Sequence, residues 1–87
     1  MKEVPVEQRL QKEIEKWSGR MGRKLEVTKA GNPRGEEFLE NIRAYAKDSA
    51  HFRDEGDLVR SFEAVVWAWA WLEIGLQLNL LREPPRE

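Results

Sequence analysis

The chain has 87 residues, no cysteine, one histidine, 36% charged residues and a net charge of −1. Without cysteine there is neither a disulfide framework nor a thiolate metal site, and the balanced charge argues against a protein held to nucleic acid by bulk charge. The length fits one domain, residues 1–87, with a modest core.

Residues 5–27 are expected to form the first helix. Val6, Leu10, Ile14, Trp17, Met21 and Leu25 recur at 4-4-3-4-4 spacing, one apolar helix face. Pro5 suits the first turn, where its missing N–H costs nothing. Gly19 and Gly22 each weaken the helix by about 1 kcal/mol relative to Ala, so a break near Ser18-Gly19 is considered. The N-terminus, MKEVPVEQRL, is charged where a signal peptide needs an apolar core. A cytoplasmic location is therefore expected.

Arg9, Lys12, Lys16, Arg20, Arg23 and Lys24 line one side of this helix. Residues 1–30 hold eight basic and five acidic groups, whereas residues 31–87 hold seven and eleven. A basic stripe can sit on phosphates. Glu13 interrupts it, no aromatic residue interleaves with it for base stacking, and a solvated face is the plainer reading.

Residues 28–35, TKAGNPRG, cluster Gly, Asn and Pro and are expected to be a loop. Residues 36–55 follow as the second helix, with Glu36 and Glu37 at its positive end. Phe38, Ile42, Tyr45, Ser49 and Phe52 share one face, widened by Leu39, Ala46 and Ala50. Gly56 is a natural left-handed stop and Asp57 caps the next helix, so the chain turns back in two residues. The third helix, residues 58–81, then lies antiparallel to the second. No strand is expected.

The third helix is apolar on two faces. Leu58, Phe62, Val65, Trp69, Leu72, Leu76 and Leu80 follow 4-3-4-3-4-4 spacing, and Trp67, Trp71, Ile74, Leu78 and Leu81 form a stripe about 180° away. One stripe closes the hairpin. The other must meet the first helix or another molecule. The longest apolar run, Ala64–Leu72, is nine residues between Glu63 and Glu73, short of the ~20 that span a bilayer, so no membrane partner is expected.

The hairpin resembles a family of short archaeal proteins known as domain of unknown function family 357. The positions that carry the likeness are Tyr45, Asp48, Ala50, Phe52, Gly56, Asp57, Trp71, Leu72 and Gly75, within residues 45–78. Ser49, Ala70, Glu73 and Ile74 stand where the family pattern has Ala, Gly, Asp and Ala. The resemblance implies a helical fold and an archaeal origin, and no activity. A looser likeness to one tetratricopeptide unit carries little, because such repeats need about three copies.

Asp48 and His51 have the i, i+3 spacing of carboxylate–His pairs in helix-bundle metal centres, but those centres need a second pair and two more acids. Asp48 is expected instead to accept a buried hydrogen bond across the hairpin, from an indole N–H. Glu63 and Glu73 lie beside the second stripe without a nucleophile, oxyanion hole or phosphate loop to serve. No enzyme, metal or cofactor is expected.

The expectation is an all-α fold: a helical hairpin, residues 36–55 and 58–81, with the first helix packed along it. The expected function is a non-catalytic interaction module that binds a protein partner or forms a homodimer through Trp67, Trp71, Ile74 and Leu78. Nucleic-acid or nucleotide binding through the basic stripe is the alternative.

Overall fold

The small residues of the hairpin decide how closely its helices approach. A computed structural model describes residues 4–84 and has the element order α1 (Val6–Val27), β1 (Lys29–Ala30), α2 (Pro33–Asp54), α3 (Leu58–Gln77) and β2 (Leu81–Arg82). It is an all-α, three-helix fold with one minor two-stranded bridge. Ser61, Ala64, Ala68, Leu72 and Gly75 are buried along one line of α3 and face α2, the helix it packs on most. From α2 this seam receives Phe38, Leu39, Ile42 and Ser49. Both serines are fully satisfied. The Ser49 hydroxyl donates to the Ser61 carbonyl and the Ser61 hydroxyl to the Ser49 carbonyl, each at 2.7 Å. Two reciprocal bonds between buried groups fix the register of the hairpin.

The turn forms as the sequence implies. Gly56 has φ of 81°, and the Asp57 side chain accepts from the Arg60 N–H at 3.1 Å. The Gly56 N–H reaches the Arg53 carbonyl and the Asp57 N–H the Phe52 carbonyl, which satisfies the last turn of α2.

α1 runs unbroken through Gly19 and Gly22. It buries Ile14 and Met21 against α3, while Leu10, Trp17 and Leu25 are half-buried and Val6 points into solvent. A Cβ on Gly22 would meet no atom within 4 Å. Gly22→Ala should therefore gain the helix-propensity difference, about 0.5–1 kcal/mol. A higher urea midpoint is the expected observation. A lower one would mean α1 lies closer to α2 than described.

Two helix boundaries differ from the sequence expectation, and a short strand pairing forms where no strand is expected. α2 begins at Pro33 rather than 36, because Asn32 is its N-cap, accepting from the Gly35 N–H at 2.9 Å, and Pro33 occupies the first helical position. α3 ends at Gln77 rather than 81. Asn79 takes a left-handed φ of 59°, its N–H bonds to the Leu76 carbonyl and the Leu80 N–H to the Gly75 carbonyl, a Schellman closure. The chain then folds back as β2, pairing antiparallel with β1 through Lys29↔Arg82 and Ala30↔Leu81. Leu81 is thus buried beneath the clasp and does not belong to the stripe of Trp67.

Candidate functional site

The wheel position of α3 on α2 determines which flank is left over. With residues 61, 64, 68, 72 and 75 turned to α2, the residues one step round the helix are Trp67, Trp71, Ile74 and Leu78. α1 does not cover them. It meets the other side of α3, where Trp17 and Trp69 pack edge to face at 5.6 Å and the Trp69 indole donates to the Trp17 carbonyl at 3.2 Å. The arrangement in which the Trp67 stripe receives α1 is therefore not the one observed.

The leftover flank is an aromatic and aliphatic strip. Trp67 is 53% exposed, Ile74 46% and Leu78 60%. Tyr45 of α2 stacks on Trp67 with centroids 6.3 Å apart and planes 19° apart. Trp71 is half-buried, its ring edge-on to Phe38 at 4.9 Å. Trp67 is the anchor of the strip, and Trp71 ties it to the core. Tyr45 is a member that the helix wheel of α3 alone does not supply. It joins through the hairpin register, one turn before Ser49.

The remaining candidates separate. Asp48 is exposed rather than buried, and the hydrogen bonds across the hairpin come from Ser49 and Ser61. Asp48 falls on the outer edge of α2 because Ser49, the next residue, takes the inward position. His51 is exposed and pairs with Glu55 at 3.3 Å. Glu63 sits one turn before Trp67 in solvent. Glu73 is on the other flank, beside Trp17, Phe62 and Trp69, and so is not near the Trp67 strip. Among the described residues no three His, Asp or Glu side chains gather as a metal site. No helix among them is long and apolar enough to cross a membrane.

Of the basic stripe, Arg9, Lys12, Lys16, Arg20 and Arg23 are all exposed. Lys16 pairs with Glu13 at 2.7 Å, Arg53 of α2 draws off Glu15 at 2.7 Å, and Lys24 pairs with Glu83. Trp17 adjoins the stripe after all: the Lys16 ammonium and the Arg20 guanidinium lie over its ring at 5.1 and 4.9 Å.

A tight helical hairpin, a third helix on one flank and an uncovered aromatic strip on the other define a small three-helix protein with a built-in apolar face. The chain belongs to the family described as Protein of unknown function (DUF357), whose model matches residues 7–81. It is similar to a DUF357 protein from Archaeoglobus fulgidus seen in a crystal structure, with 45% identity and a TM-score of 0.84, over 92% of this chain and 100% of that one. No curated protein matches the chain.

Proposed function

We propose that the protein is a non-catalytic interaction module whose Trp67 strip docks another protein molecule, either a second copy or a different chain. The observation that carries this reading is the exposure of Trp67, Ile74 and Leu78 on a flank that α1 leaves open. Large apolar side chains scattered singly on a surface need no explanation, but a contiguous strip with a stacked Tyr45–Trp67 pair does. Trp and Tyr are the residues that most often dominate binding energy at interfaces. A slab 18 Å thin presents α2 and α3 side by side on this surface, which gives a partner two helices to rest on.

The test is site-specific photo-crosslinking inside the cell of origin. A photoreactive residue at Ile74 should yield a discrete adduct, and one at Glu40, exposed on α2, should not. The mass of the adduct separates a second copy from another chain. Equal, diffuse labelling from both positions would remove the reading.

A further inference from the structure

The outer edge of α1 carries a row of four cations, of which one, Lys16, enters an ion pair among the described residues. Lys12, Lys16 and Arg20 are spaced four residues apart and Arg23 follows three later, so they share one face and rise by roughly 5–6 Å per step. They line a shallow groove with Glu15 and Gly19. Lys12, Arg20 and Arg23 enter no ion pair among the described residues. Like charges at such spacing cost a helix stability, yet all four positions face solvent and carry a cation. Of the carboxylates along α1, Glu13 pairs with Lys16 and Glu15 with Arg53.

Two of the cations are also ordered in advance. Lys16 and Arg20 rest over the Trp17 ring, which is itself held by Trp69. Restraint before binding lowers the entropy lost on binding. The step along the row is comparable with the phosphate repeat of an extended strand. α1 buries the centre of its apolar face, Ile14 and Met21, inside the fold. The exposed Val6 and Val27 stand at opposite ends of the helix and do not make the continuous apolar face that an interfacial helix inserts among lipids.

We propose that this edge of α1 binds the phosphodiester backbone of single-stranded nucleic acid, without reading bases. Trp17 is a single ring already engaged by Trp69, Lys16 and Arg20, so no run of bases can stack along the row and sequence preference is absent. The net charge of −1 gives no long-range attraction, so affinity depends on this row alone.

The test is fluorescence anisotropy of a labelled thymidylate 15-mer and a mixed-sequence RNA of equal length. Binding is expected at low salt, with a slope of log K against log salt of about −3 for four phosphates on a single strand. Lys12→Glu/Arg23→Glu, at exposed positions that make neither of the cation–π contacts with Trp17, should weaken both probes tenfold or more and flatten the slope. Trp67→Ala should leave it unchanged, since the α3 strip is on another flank. No binding at low salt, an unchanged affinity in the double variant, or binding only to vesicles of anionic phospholipid would each overturn the proposal.

Discussion

Leu72→Ala is expected to lower the unfolding free energy by about 2–5 kcal/mol, whereas Trp67→Ala costs only about 1 kcal/mol. The difference follows from position, not size. Leu72 is 1% exposed, in the cluster that joins Met21 of α1 to Phe38, Leu39 and Ile42 of α2. Its truncation leaves a cavity between all three helices. Trp67 is half in solvent and loses chiefly its stacking on Tyr45. Urea denaturation of both variants measures this directly. If Trp67→Ala unfolds as readily as Leu72→Ala, then Trp67 belongs to the core and the strip is not a free surface. Trp71 is a poorer probe, because its contact with Phe38 mixes stability with binding.

Gly35→Ala is expected to destabilise by about 1–3 kcal/mol, although Ala is the better helix former by about 1 kcal/mol. A Cβ at Gly35 would fall 2.2 Å from the Leu80 carbonyl oxygen and 3.2 Å from the Ala30 side chain. The Leu80 carbonyl is backbone and already accepts from the Gly31 N–H at 3.1 Å. Relief therefore requires α2 to move away from the clasp of β1 and β2, which exposes Leu81. The sign of the change decides the matter: a urea midpoint at or above wild type would mean that the 78–82 segment does not close over α2. Gly22→Ala, with open space around it, is the matched control in which propensity alone acts.

The parts of the fold that the sequence makes legible are those signalled by large residues and short-range caps. The apolar spacing of Ile14 and Met21 locates α1, and Gly56-Asp57 locates the hairpin turn, because a left-handed Gly and a capping Asp each act within three residues. The closest helix contact is not legible. It runs along Ser61, Ala64, Ala68 and Gly75, residues too small to register on a wheel that weighs apolar bulk. The two stripes of large residues lie to either side of that seam, and only Leu72 of the first stripe enters it. The end of α3 is hidden for a related reason: Asn79 stops the helix by backbone conformation, and Leu80 and Leu81 continue the apolar pattern past it. Leu81 then enters the core through a strand pairing that no local pattern encodes.

The candidate strip divides in the same way. Trp67, Trp71, Ile74 and Leu78 are read from their spacing; three of them are exposed and Trp71 is half-buried. Tyr45 depends on hairpin register, set by the Ser49–Ser61 pair, and register is a property of two segments rather than one. The hydrogen bond across the hairpin that the sequence reading gives to Asp48 is made by Ser49 and Ser61. A one-residue step on a helix is about 100°, enough to exchange an inner position for an outer one.

The dissociation constant for the molecule captured through Ile74, compared between wild type and Trp67→Ala, bears most directly on whether this flank of α3 is a binding face. With a hot-spot Trp worth more than about 1.4 kcal/mol, binding should weaken at least tenfold while the unfolding midpoint stays near wild type. Equal constants for the two proteins, or a loss of binding that tracks a loss of folding, would contradict it.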